Sequence, residues 1–419
     1  MVYYHLALFV PRAKEVRAAQ GFGNGYSLGA DFYPIWFTTR EALAYHRDPY
    51  SPEMTRQIQV GLFGRPLDAS NPAAPLNYRA FAYPAFADIL FWPFALLPFS
   101  VVRIVLALIL PVVTALSILL WLRILRLRAG PAILTALILL TLSSYAVLEG
   151  LFAEQMGLLA GFLLAASLAA LVRERLFLSG SLLALTLIKP QMILLITAYL
   201  LFWSLARWRA RWRFVAGFLF VSGLLLASSL LVWPRWIPEW LGVMFGYRQY
   251  STPPLVWYLL GNQAGSRLGP ILIATLLASA LALAWRMRHA SATSAEFVLT
   301  LSLLLAITAI TLLPGHAVYD HVVLLPGVIL IALSWRDFVV SPPFRVILGV
   351  TALAVFWQWI SAPVVIATRP MLSQDLFIST MLTLPIRAAA SIPFGVGALL
   401  SLMMWQGPHK KTRDENGKK

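Results

Sequence analysis

Residues 173–213 read RERLFLSGSLLALTLIKPQMILLITAYLLFWSLARWRARWR. Charge closes both ends of an apolar run at 178–206, and Lys189-Pro190 interrupts its middle. As one helix the run would reach roughly 43 Å at 1.5 Å per residue, longer than the ~30 Å hydrocarbon core of a bilayer. Proline breaks a helix, and a lysine resists burial in lipid. The stretch therefore predicts two short helices with Lys189-Pro190-Gln191 at the apex of a hairpin.

Working outward, further apolar runs fall at about 101–122, 131–148, 156–172, 214–233, 269–285, 296–313, 321–335, 345–362 and 377–405. With the hairpin they predict an all-α polytopic membrane protein of about eleven crossings after residue 100. Composition agrees: 60% of the 419 residues are hydrophobic and 12% charged, against roughly 25% charged in soluble domains. Mean hydropathy is +0.77. A soluble enzyme, a disordered chain and a fibrous repeat are excluded. The chain has no cysteine, which excludes disulfides, thiolate metal sites and cysteine nucleophiles. Residues 85–99, with Pro93 and Pro98, are too short and broken to span and predict an interfacial or re-entrant segment. Met1–Val10 reads as an interfacial helix, a plain tail, or the remainder of a first spanning helix.

The net charge of +16 has to be located before it is interpreted. Alternating crossings place 18 of the 33 Lys and Arg on one side, in 123–130, 173–175, 207–213, 286–288, 336–345 and 406–419. The other side receives 13, mostly in long loops, where the positive-inside rule is weak. This register closes only if 178–206 crosses twice. Most acids, among them Asp31, Glu149, Glu154 and Asp320, fall opposite the basic side. The basic excess is thus a cytoplasmic anchoring pattern and gives no ground for nucleic-acid binding.

Several unusual side chains then share the outer face: Asp31, Glu149, Glu154, Gln155, Lys189, Gln191, His316, Tyr319, Asp320 and His321. Each has a bland reading. An Asp opening a loop is commonly a helix N-cap, Lys189 can snorkel to headgroups, and the glutamates can be solvated. Their combination from distant segments suits an acid–base step beside an anionic group. Asp31–Tyr45 reads as an amphipathic helix with Phe32, Ile35, Trp36, Thr39 and Leu43 on one side. The aromatic rings and balanced charges of 31–84, like the tryptophans and tyrosines of 234–268, suit a sugar-bearing lipid.

Gly29-Ala30-Asp31-Phe32-Tyr33-Pro34-Ile35-Trp36, followed by Asp48-Pro49-Tyr50, resembles the opening of glycosyltransferase family 87. Tyr83-Pro84, Glu154-Gln155, Lys189-Pro190-Gln191 and the His316–His321 cluster resemble further elements of that family in the same order. The resemblance implies a GT-C-like bundle with an amphipathic helix in the first outer loop. It implies inverting transfer of a sugar, typically mannose in α-1,2 linkage, from a polyprenyl-phosphate donor to a lipid or glycan acceptor. Asp31 would be the catalytic base; Lys189 and His321 would bind the donor phosphate; His316, Tyr319, Gln155, Glu154 and Tyr83 would contact donor or acceptor. No metal and no cofactor are implied. The chain departs from the family pattern in lacking a full spanning helix before Asp31, and in having Asp320-His321 where adjacent histidines are common.

The expected organisation is a reduced or truncated first helix and lead-in at 1–30, an outer loop at 31–99, the transmembrane bundle at 100–405 and a basic cytoplasmic tail at 406–419. The site would face outward from the cell membrane. A transporter or flippase of lipid-linked sugars is the competing expectation; it would need inverted repeats and midplane polar groups. A non-catalytic scaffold is the third.

Overall fold

A computed structural model describes residues 1–19, 25–67, 79–247, 251–337 and 341–406. The basic tail beyond Gln406 lies outside them. The described residues form helices α1 to α18: Val10–Ala19, Tyr33–Tyr45, Pro52–Phe63, Phe86–Ala95, Phe99–Ile124, Pro131–Leu142, Tyr145–Ala153, Met156–Val172, Leu176–Leu185, Leu194–Ala206, Trp208–Val232, Trp236–Tyr247, Leu255–Arg286, Ala295–Thr311, Leu325–Ser334, Pro342–Thr368, Gln374–Arg387 and Ile392–Gln406. Among them α5, α11, α13 from Gln263, and α16 are long and apolar enough to cross a membrane. The bent pair α6–α7 makes up to five. The remaining apolar runs are divided into shorter helices, so length and composition support fewer spans than the eleven expected. Much of α11 turns apolar side chains such as Leu219, Phe220, Leu224 and Leu231 outward, as a lipid-facing helix must. The protein is an all-helical membrane protein.

The 178–206 run is divided as its chemistry requires. Helix α9 ends in a 3₁₀ turn at Thr186–Ile188, Pro190 opens another at Pro190–Met192, and α10 follows. Lys189 sits between the two turns. The 131–148 run differs from expectation. It bends by 57° between α6 and α7 because Ser144 caps α7 by accepting from Val147 N–H at 3.4 Å. Helix α16 consolidates the bend: Gln358 Oε1 accepts from Tyr145 N–H, and Trp359 Nε1 donates to Ser143 Oγ at 3.0 Å. The 377–405 run likewise separates into α17 and α18. In 234–268 the structure places α12 and the start of α13, which breaks at Gly261 (φ 73°).

The core gathers around α14, buried on every side from Phe297 to Thr311, as expected of a helix apolar all round. Helix α2 lays Ile35, Trp36 and Thr39 inward, as its periodicity predicts. Trp36 Nε1 donates to Leu97 O at 3.0 Å, and Thr39 Oγ1 to Asp88 Oδ1 of α4 at 2.9 Å. Helix α3, Pro52–Phe63, has no counterpart in the sequence reading. Its Ser51 N-cap, Pro52 at N1 and left-handed Gly64 after its end are nonetheless ordinary helix signals. The first residues pack into the bundle, with Tyr4 and His5 fully buried. The basic run 207–213 is not uniformly a solvated face. Arg211 turns inward, stacks 3.6 Å from the Trp203 ring and donates to the Arg288 and Ala290 carbonyls.

Helices α9 and α11 cross so closely that glycine is needed on both. A Cβ on Gly180 would overlap the Phe214 carbonyl, and one on Gly217 the Phe177 carbonyl. Gly223, farther along α11, faces open space. Gly217→Ala should destabilise the protein by about 1–3 kcal/mol through overpacking, while Gly223→Ala should be neutral or slightly stabilising. Thermal unfolding of both variants in detergent measures the contrast; equal melting temperatures would contradict the crossing.

Candidate active site

Asp31 is held by backbone before its side chain does anything. Gly29 N–H donates to Phe152 O at 2.9 Å and Asp31 N–H to Ala153 O at 3.1 Å. The strap thus satisfies carbonyls that the end of α7 leaves open. Gly29 is required there twice, by its φ of 77° and by space, since a Cβ would lie 2.6 Å from Glu154 Oε2. The N-cap of α2 is Phe32, so Asp31 does not cap that helix. Its Oδ1 accepts from Arg79 Nη1 and its Oδ2 from Gln155 Nε2.

Gln155, at the N-cap of α8, passes the connection on. Its Oε1 accepts from Lys189 Nζ at 2.9 Å. Lys189 Nζ also donates to Asp320 Oδ1 at 2.7 Å and lies 5.0 Å from the Tyr319 ring centroid. This ion pair is buried, with side-chain exposures of 7% and 2%. Lys189 therefore does not snorkel to headgroups. Gly157 makes room for the pair, because a Cβ there would overlap Asp320 Oδ1 and come 3.3 Å from Lys189 Nζ. The result is one polar chain, Arg79–Asp31–Gln155–Lys189–Asp320, drawn from five separate segments.

The chain forms one wall of a cavity of about 360 Å³. Six of the residues singled out from sequence reach it: Asp31, Tyr83, Gln155, Lys189, His316 and Tyr319. The opposite lining includes Trp240, Met244 and Tyr247 of α12. Trp240 is fixed by donating from Nε1 to Ala82 O at 3.1 Å, and Tyr50 OH donates to Tyr83 O at 2.8 Å. His316 N–H donates to Thr252 Oγ1 at 2.9 Å, and the Thr252 hydroxyl lies 2.8 Å from His316 Nδ1. Burial, then the charges of Arg79 and Lys189, push His316 down to about 4. The ring is still solvent-accessible, and water offsets part of the burial contribution; the ring is neutral at pH 7 either way.

Two expected residues stand outside the cavity wall. His321 follows Asp320 on the 3₁₀ turn Val318–Leu324, where one residue's rotation turns it away; it is buried, with Nε2 unpartnered. Glu154 points back toward Gly29 and Arg103. Conversely, the sequence reading did not single out Arg79, which stands in a segment with no periodic pattern. Trp240 and Tyr247 lay within the flagged aromatic stretch, and Asp320 within the flagged cluster, without a stated role.

A model of glycosyltransferase family 87 matches residues 81–314, more than half of the chain. The chain belongs to that family. No curated protein and no solved structure matches it. The family match makes the protein a membrane glycosyltransferase, acting between a sugar donor and an acceptor. It spans Tyr83, Gln155, Lys189 and Trp240; Asp31 and Arg79 precede the matched stretch, and His316, Tyr319 and Asp320 follow it. The cavity thus joins residues inside the family 87 match to residues on both flanks.

Burial pushes the Glu154 carboxyl up to about 8, with Arg103 opposing. A carboxyl raised in the folded state binds more protons folded than unfolded, so its contribution to stability falls as pH rises from about 4.5 to about 8. Glu154→Gln should therefore flatten the pH dependence of the melting temperature over this window and raise it at pH 8. Unchanged slopes in wild type and variant would contradict the burial of this carboxyl.

Proposed function

We propose that the protein transfers a sugar, mannose by family preference, from a polyprenyl-phosphate donor to a lipid or glycan acceptor on the extracytoplasmic face, with inversion. The observation that carries this reading is the cavity in which a carboxylate, a buried lysine and a neutral histidine converge. Its volume falls within the roughly 300–1,000 Å³ usual for small-molecule sites. Aromatic walls from Tyr83 and Trp240 beside charged groups suit a sugar carrying a phosphate.

Asp31 is the base. As it accepts the acceptor hydroxyl's proton, the hydroxyl oxygen bonds to the anomeric carbon. The bond from that carbon to the phosphate oxygen breaks, and its electron pair leaves with the polyprenyl phosphate. Attack opposite the leaving group inverts the configuration. Negative charge grows on the phosphate, where a preorganised cation stabilises it most. Lys189 has that role, its orientation fixed by Asp320 and Gln155. His316, Tyr319, Gln155 and Tyr83 contact the donor or acceptor. The chain's own residues account for these steps without a metal or cofactor.

The course of the helices supports an outward-facing site. Helix α8 runs from Gln155 to Arg173, α10 from the Lys189 turn to Arg207, and α15 from the Asp320 turn to Arg336. Each thus leads from the cavity to a basic segment, and α14 returns from the basic 286–288 side to Pro314 at the cavity. With the cytoplasm on the basic side, the cavity is extracytoplasmic and the tail cytoplasmic. The shorter apolar helices then complete a GT-C-like bundle of about eleven crossings.

Asp31→Asn and Asp31→Ala should each lower transfer from polyprenyl-phosphate mannose in membranes by roughly 10²–10⁴-fold, the usual contribution of a general base. Mass spectrometry of the product lipid reads the transfer. Full activity in both variants would remove Asp31 from the mechanism.

A further inference from the structure

In the empty site both oxygens of Asp31 are engaged, Oδ1 by Arg79 and Oδ2 by Gln155. A carboxylate in that state has its acceptor positions occupied and its charge neutralised, which makes it a poor base. The described residues of the cavity wall carry two cations, Arg79 and Lys189, and two carboxylates, Asp31 and Asp320. An anionic donor entering this balanced set binds well only if one cation changes partner.

The two cations differ in how they are held. Lys189 is fixed between two good acceptors at 2.9 and 2.7 Å, in a position 7% exposed. Arg79 is paired with Asp31 at side-chain exposures of 13% and 14%, and otherwise reaches only the long Ala30 and Gly25 carbonyl contacts at 3.4 and 3.3 Å among its described bonds. Its backbone is left-handed, with φ at 53°. That conformation is unfavourable for a residue with a Cβ, and it marks positions that the surroundings hold for a purpose. The guanidinium is also the planar fork that matches two phosphate oxygens, whereas an ammonium is a point charge.

We propose that Arg79 is a ligand of the donor phosphate, and that its transfer from Asp31 to the phosphate unmasks the base. The proposal rests on the donor and base assignments above. Lys189 supplies a fixed positive charge and Arg79 the movable one. Before the donor arrives, Asp31 is neutralised by Arg79 and does not deprotonate an acceptor. Once Arg79 has swung to the phosphate, Asp31 keeps only the Gln155 bond and Oδ1 is free for the incoming hydroxyl. Binding is therefore ordered, donor first. The same exchange explains how the site tolerates removing Arg79 from a half-buried partner: the ion pair is not broken but replaced.

The test uses undecaprenyl phosphate as the probe, with binding to purified full-length protein in detergent measured by calorimetry for a double-mutant cycle. Arg79→Gln should weaken binding more than tenfold. Arg79→Lys, which keeps the charge but loses the fork, should fall between. Asp31→Asn should tighten binding several-fold, because it releases Arg79, and that gain should vanish in the Arg79→Gln background. A gain that persists undiminished without Arg79 would mean a through-space charge effect and would overturn the coupling. Wild-type affinity in a folded Arg79→Gln variant, verified by its melting temperature, would overturn it as well. Failure of the wild type to bind the probe would instead sink the donor reading, and the proposal with it. Tightened binding by an Asp31→Asn protein that retains full transfer would remove the base while leaving Arg79 as the phosphate ligand.

Discussion

The site depends on one buried ion pair. Lys189 and Asp320 are both withdrawn from water, and desolvating two such charges costs several kcal/mol each. Only close geometry offsets that cost, and here it is provided by the 2.7 Å contact and by the additional bond from Lys189 to Gln155. The pair ties the apex of the α9–α10 hairpin to the turn that precedes α15. Through Gln155 it also fixes the start of α8 and the carboxylate of Asp31. Loss of either partner would leave an isolated charge in the wall of the cavity.

Backbone economy makes this arrangement possible. Where polar groups must meet at helix ends, side chains near them have to be absent. Gly157 leaves space for Asp320, and Gly29 for Glu154. The Asp31 strap uses main-chain bonds to the end of α7, so its position does not rely on flexible side chains. The helix ends that converge here also expose unpaired backbone groups. Segments broken by 3₁₀ turns fit only where they line a cavity or pack against protein, which is where the Lys189 and Val318–Leu324 turns lie. Membership of glycosyltransferase family 87 is in keeping with such an arrangement: chemistry on a lipid-borne substrate needs polar groups presented beside apolar helices.

Much of the helical plan was legible because period and interruption are local properties. Lys189-Pro190 announced a break, Gln155 and Arg173 bounded α8, and the apolar positions of α2 identified its inner face. The α6–α7 bend was not legible: its Ser144 cap looks like any serine in an apolar run until Gln358 and Trp359 of α16 arrive to satisfy the freed groups. Arg211 was counted with a solvated basic run and proved to be an internal bond donor. His321 and Asp320 are adjacent in sequence, yet a 3₁₀ turn sends them to different environments.

The sequence alone determined that the chain is a membrane protein, where its principal helices break, on which side its basic residues collect, and which polar residues stand at the ends opposite them. These follow from transfer free energies and helix geometry, which act residue by residue. Only the tertiary structure decided who meets whom. Arg79 on Asp31, Gln155 between Asp31 and Lys189, and Asp320 on Lys189 are contacts across 48, 124, 34 and 131 positions of chain. Their energies depend on distances and burial that no local pattern encodes. The difference between a list of polar residues and a site was therefore set by packing.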